Sequence, residues 1–216
     1  MPEQPPRRKS APTRRRSETR ERLLDAAFEA FVAKGFGRTT IDDVCRAAGY
    51  TKGAFYSNFG SLEQLFFALY DRQSAYGAEF TTDMIGSETT AVEELIVAWA
   101  EQVLLDRDWL LINTDFVSYA ARFREVAGEL ADHRRELRTA VTDVVAAFIE
   151  VQNMPLPPSL STPAELARAI VTVYDGVIYQ LLLDMDEATV RRHFVAIMTA
   201  LIRPEQTRTG DTGGRS

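Results

Sequence analysis

Between Gly49 and Leu65 the chain reads GYTKGAFYSNFGSLEQL, and its polar residues are hydrogen-bond donors rather than catalysts. Thr51 and Tyr56 carry hydroxyls, Lys52 carries a cation, and Gly53 and Ala54 leave the backbone almost bare. Such a set suits contact with a nucleic-acid duplex. A lysine reaches guanine O6 and N7 or a phosphate, and small residues let a helix press into a groove. Thr40 adds another hydroxyl, and helix starts at Thr40 and Thr51 would offer backbone N–H groups to phosphates. Bond-breaking chemistry has no comparable signature. Gly-x-Ser-x-Gly, His-Glu-x-x-His and a phosphate loop are all missing, and Gly35-Phe36-Gly37 follows a helical pattern, not a strand. No enzyme, metal site or cofactor is expected.

Short helices must position these groups. Thr40 is placed as an N-cap, with Asp43 three residues on completing a box-like start. Ile41, Val44 and Cys45 then give one apolar side, and Gly49 supplies the left-handed stop. Thr51 caps a second helix in which Phe55 and Phe59, one turn apart, face inward together. Ser61 with Gln64 opens a further helix. Upstream, Ser17 to Lys34 repeats apolar residues at Leu24, Ala27, Phe28 and Phe31, and Gly35 ends that stripe. Two helices joined by a short glycine-containing turn form a helix-turn-helix, whose second helix enters a DNA major groove.

The run AAGYTKGAFYSNFGSLEQL resembles the N-terminal domain of the TetR-type (tetracycline-repressor-like) regulators, whose pattern is close to A-x-x-A-G-V-S-x-G-x-[LF]-Y-x-[YH]-F-x-[SN]-K-x-x-L. The agreement falls at Ala48, Gly49, Thr51 (for Ser), Gly53, Phe55, Tyr56, Phe59, Ser61 and Leu65, and Leu62 stands where the family often has lysine. With its upstream helix the motif covers residues 17–65. The resemblance implies an all-α fold, a three-helix helix-turn-helix domain joined through the fourth helix to a helical ligand-binding and dimerisation domain at 66–204. It further implies that Thr40, Lys52, Gly53, Ala54, Tyr56, Ser57 and Asn58 face DNA, and Thr51 joins these candidates through its hydroxyl and helix start. The last two helices, residues 164–203, would pair with a second copy, giving a homodimer on a palindromic operator.

Charge distribution supports a nucleic-acid partner despite the net charge of −6. Residues 1–60 hold 12 Lys and Arg against 7 Asp and Glu, a net of +5, which leaves −11 for the rest. A basic end on an acidic body concentrates phosphate attraction in one module. Residues 1–16, MPEQPPRRKSAPTRRR, have no large apolar residue, so disorder is expected there. The segment serves either as an arm along phosphates or a minor groove, or as a solvated tail. The glycine-containing tail 205–216 is expected to be disordered too.

The body reads as helices throughout. A fourth helix runs from Ser61 to about Phe80. Others are expected at Thr90–Leu105, Trp109–Phe123, Glu125–Val151, Ala164–Leu183 and Glu187–Arg203, with a proline-rich break at Met154–Pro163. Its aromatic and polar residues Trp99, Asn113, Phe116, Tyr119, His133 and Tyr174 either line a cavity for a small, mostly apolar effector or fill a core. His193, flanked by arginines, is expected on the surface. Cys45, the single cysteine, excludes an intrachain disulfide and fits a reducing cytoplasm. No apolar run is long enough to span a bilayer, and no apolar segment follows the basic start as a signal peptide requires. Two functional readings remain: an effector-controlled regulator, most readily a repressor, or a non-specific architectural DNA-binding protein without an effector.

Overall fold

The computed structural model describes residues 11–85, 92–103, 106–183 and 186–202, and they are helical with no strand among them. The order is α1 (Ala11–Lys34), a 3₁₀ turn (Phe36–Arg38), α2 (Ile41–Ala48), α3 (Lys52–Tyr56), α4 (Leu62–Ile85) and α5 (Val92–Val103). Then come α6 (Arg107–Ala120), α7 (Arg124–Gln152), α8 (Pro163–Leu182) and α9 (Glu187–Ile202). These residues fall into two compact units. One takes in the described residues up to Tyr76 together with Asp106–Glu136, the other Gly77 onward to α5 and from Leu137 to the end of α9.

The first unit is larger than the 17–65 module read from the sequence, because α6 and the first part of α7 belong to it. Leu23, Leu24, Ala27 and Phe31 of α1 are buried with Val44, Cys45, Phe55, Phe59, Leu65, Phe66 and Leu69. From α6, Trp109, Leu110, Ile112 and Phe116 join the buried set. Phe116 lies flat against Phe66, centroids 3.7 Å apart, and edge-on to Phe36 at 4.7 Å. Phe36 also meets Phe31 at 5.1 Å, which makes the short turn after α1 a hub of the core. Edge-to-face and offset rings gain about 0.5–1.5 kcal/mol per pair beyond the area they bury.

Local chemistry sets the helix ends. Thr40 and Asp43 form the reciprocal box, Gly49 closes α2 at φ 71°, and the Thr51 hydroxyl accepts the Ala54 N–H. At α4 the box is displaced. Ser61 accepts the Gln64 N–H at 3.2 Å, but the Gln64 side chain accepts from the N–H of Gly60, not of Ser61. In the second unit Thr162 and Glu165 form another box, with Pro163 in the first turn of α8. Its core packs Ile96 and Ala100 of α5 and Val145 of α7 against Leu166, Ile170 and Val177 of α8 and Val190, Phe194 and Met198 of α9.

Some boundaries differ from those expected. Disorder over residues 1–16 fails for 11–16, which are the first turns of α1. Pro12 sits where a helix needs no N–H, and arginine is a good helix former, so the run extends the helix. Residues 1–10, the rest of the expected arm, and 205–216, the expected tail, lie outside the described residues, as do Arg203 and Pro204. Helix α4 passes through Gly77 and continues to Ile85, beyond the expected end near Phe80. Among the described residues no helix is long and apolar enough to cross a membrane.

Candidate nucleic-acid interface

Helix α3 has only five residues, and its direction is set by the side chains packed around it. Phe55 is fully buried and Phe59 nearly so, 5.9 Å apart, which turns the opposite side of α3 to solvent. On that side Thr51, Lys52, Gly53, Tyr56 and Ser57 are exposed, and Tyr56 keeps 57% of its surface open. Its ring leans edge-on against Phe55 at 5.6 Å, so a large apolar residue is held outward beside a hydroxyl.

The expected contact residues are not equally ready. The Thr40 hydroxyl donates to Asp43 at 2.8 Å and accepts the Asp43 N–H, so it is committed to the cap. Ser57 and the Asn58 amide both donate to the Ala54 carbonyl at 2.8 Å, turning back on their own helix. Lys52 is exposed but paired with Asp42 at 2.9 Å, and this bond raises its pKa above the usual lysine value. Thr51 accepts from Ala54 and so keeps its hydroxyl proton to give. Thr51, Lys52 and Tyr56, flanking Gly53 and Ala54, therefore make the outward-facing set.

Asp43 is the electrostatic centre of α2. Lys34 lies 2.7 Å from it and Arg46 2.6 Å. Hydrogen bonds from Lys34 and then from Thr40 hold its carboxyl far below the usual aspartate range. Cys45, next along, is buried and keeps its proton more firmly than a free thiol, first through desolvation and then through Asp42.

Two contacts from α1 were not anticipated. Arg16 donates to the Ser57 carbonyl at 2.9 Å, and the Arg20 guanidinium lies 4.5 Å from the centre of the Phe59 ring. The available signal was their separation of one helical turn, hidden because the arginine run read as a disordered arm. The connection after α1 is also held from a distance. The Phe36 N–H donates to the Asp115 carboxylate of α6, 79 residues along the chain.

The candidate effector residues are dispersed. Asn113, Phe116, Tyr119 and His133 belong to the first unit, Trp99 and Tyr174 to the second, and the Trp99 side chain is not among those described. Phe116 has no exposed surface. Tyr119 donates to Glu63 at 2.8 Å, which raises the pKa of the phenol. On Glu63, desolvation is outweighed by hydrogen bonds from its own N–H, from Tyr119 and from Ser61, so its pKa is lowered. His133 meets Asp71 at 2.7 Å and stacks on Phe67, while Tyr174 packs beside the core of the second unit. Asn113 is buried and its Oδ1 has no hydrogen-bond partner among the described residues. A cavity of about 440 Å³ in the first unit, lined among others by Phe28, Leu69, Arg72 and Trp109, involves none of these candidates. His193 is exposed, as expected.

Parts of the chain are similar to known proteins. Residues 23–69 match the model of the family described as bacterial regulatory proteins, tetR family. The HTH-type transcriptional regulator SrpR of Pseudomonas putida is 44% identical over 87 residues, 40% of this chain and 40% of that protein, so the match spans two fifths of that relative. TtgR, an HTH-type transcriptional regulator also from Pseudomonas putida, is 28% identical over 183 residues, 78% of this chain and 82% of that one. Among solved structures, one described as a TetR-family regulator from Rhodococcus sp. superposes with a TM-score of 0.73 at 16% identity, covering 87% of this chain and all of that one. That likeness is one of fold.

Proposed function

We propose that this chain, a member of the TetR-type regulators by its N-terminal domain, is an effector-controlled transcriptional regulator that represses by binding a palindromic DNA operator as a homodimer. The observation that carries the reading is the exposed side of α3, where Thr51, Lys52, Gly53, Ala54 and Tyr56 stand outward while Phe55 and Phe59 anchor the helix beneath. A bare helix N-terminal half with a cation, a hydroxyl and an upright aromatic ring fits a major groove.

A helix of five residues covers few base pairs, so affinity and selectivity call for two readers. Half-sites would then lie roughly 34 Å apart, one turn of the duplex, or slightly more. Support for pairing comes from the second unit, where Tyr179 of α8, Leu183 just after it and Ile197 of α9 are large, apolar and exposed. These lie within the 164–203 segment expected to meet a second copy.

Effector control works through α4, whose first residues brace the reader. Its Glu63 takes the Tyr119 hydroxyl and its Asp71 meets His133, so α6 and α7 both hold it. A small apolar effector would favour a state in which α4 has shifted and the readers no longer match the groove spacing. It moves the equilibrium only by its differential affinity for the two states, typically about 1–3 kcal/mol. Asn113 Oδ1 supplies a buried acceptor for a donor on such an effector. The protein would act in the cytoplasm, with DNA and the effector as its partners and without a cofactor.

Selection of duplexes from a random pool by the full-length protein tests this reading. A palindromic consensus should emerge, bound at least about 10³-fold tighter than competitor DNA at physiological salt. Tyr56→Ala should lose that preference while light scattering still reports a dimer. Binding with a large salt slope and no preferred sequence would instead mark the non-specific architectural alternative.

A further inference from the structure

The cations around the reader mostly have carboxylate partners. Lys34 and Arg46 share Asp43, Lys52 has Asp42, and Arg72 has Glu21 and Asp25. Arg16, like Arg38 on the Lys34 carbonyl, donates to a neutral group instead: it is exposed, its partner is the carbonyl of Ser57, and among the described residues no carboxylate pairs with it. Ser57 is the residue that ends α3, directly after Tyr56.

We propose that Arg16 is a phosphate-binding residue, through which α1 clamps the DNA backbone against the far end of the recognition helix. The inference rests on the reading that α3 enters a DNA groove. A guanidinium carries five N–H donors in a rigid planar fork. One is spent on the Ser57 carbonyl at 2.9 Å, which fixes where the fork sits and leaves the others open to an anion. Arg20, one turn further along α1, lies over the Phe59 ring at 4.5 Å and keeps this face of α1 against the reader. A full positive charge, uncompensated and pinned beside Tyr56, meets a phosphate with little loss of side-chain freedom. Because the same group holds the Ser57 carbonyl, the phosphate contact also sets how α3 seats in the groove.

Arg16→Gln separates this role from a purely structural one. Glutamine carries no charge and stops two bonds short of the Nη2 that meets the Ser57 carbonyl, whereas Arg16→Lys keeps the charge and loses the fork, so the salt slope is the readout that separates the two roles. Full-length wild type, Arg16→Gln and Arg16→Lys are titrated with a duplex selected by the wild type and with a scrambled duplex, from about 50 to about 200 mM salt. Binding by Arg16→Gln should weaken roughly tenfold at the lowest salt and by the same factor on both duplexes. Its log–log salt slope should fall by about 0.9 for each protomer bound. Arg16→Lys should keep most of the slope. An unchanged slope for Arg16→Gln, with or without weaker binding, would assign Arg16 to holding α3 alone and overturn the proposal. If the wild type itself binds no duplex, or none in preference to another, the DNA-reading function fails and the inference with it. A selective wild type with an indifferent Arg16→Gln sinks only the inference.

Discussion

Replacing Gly35 by alanine should damage the reader more than replacing Gly49, although both glycines end helices with positive φ. Gly49, at φ 71° and ψ 28°, occupies the left-handed helical region, and a Cβ there meets nothing within 4 Å. An L-residue in that region costs roughly 1–2 kcal/mol. Gly35 stands at φ 79° and ψ 155°, a region that side chains all but avoid, where strain is of order 1–3 kcal/mol. A Cβ there would also lie 3.0 Å from Asp115 Oδ2. That oxygen can retreat only by releasing the Phe36 N–H it accepts, and an unsatisfied buried donor costs about 1–3 kcal/mol. Gly35→Ala should therefore lose roughly 2–6 kcal/mol and Gly49→Ala roughly 1–2 kcal/mol. Urea unfolding followed by fluorescence resolves the two, since Trp109 belongs to the unit that holds both glycines. A double-mutant cycle carries the sharper test. In an Asp115→Ala background the crowding is gone, so Gly35→Ala should fall back to backbone strain alone. Strict additivity of the two substitutions, or a Gly35→Ala cost no larger than that of Gly49→Ala, would refute the reasoning.

Two further substitutions probe the charges around α2. Asp43 has a folded-state pKa depressed first by Lys34 and then by Thr40, so it stabilises the fold fully above the ordinary aspartate range and less as pH falls through its folded value. Asp43→Asn should lower Tm at pH 7, and the gap to wild type should narrow below about pH 4; a gap independent of pH would contradict the assignment. Asp42→Asn removes the exposed partner of Lys52. Stability should change by less than about 1 kcal/mol, while competition assays should show DNA affinity rising roughly two- to fivefold at low salt and selectivity falling. Weaker binding to every duplex would mean that Asp42 aims Lys52 at its target.

Local chemistry was legible in the sequence wherever it acts over a few residues. The Thr40–Asp43 box, the Gly49 stop, the Thr51 cap, the inward pair Phe55 and Phe59, and Pro163 after Thr162 all stand where their spacing indicated. Contacts between distant segments were not legible. No periodicity links Phe36 to Phe116 or to Asp115, yet these contacts draw α6 into the same unit as the reader. Nor could composition separate an arginine run that solvates from one that extends a helix, since arginine does both. The aromatic residues of the body were recognisable as apolar but not sortable. Helical spacing shows which of them share a face and not what faces them, and so Phe116 turns out fully enclosed by other rings.

A helix as short as α3 has no stability of its own, since isolated helices below roughly 12–15 residues are marginal in water. Its direction is thus borrowed from buried Phe55 and Phe59, from the Thr51 cap, and from Arg16 and Arg20 on α1. This separates two duties by residue. In the proposed function, side chains beneath α3 would determine how deeply and at what angle it meets any duplex, and so would affect all sequences alike. Those above it, Lys52 and Tyr56, would be the ones to meet what differs between sequences, and they can change without disturbing the anchor. A reader built this way can acquire a new operator through two or three exposed residues while its core and its supporting helices stay as they are.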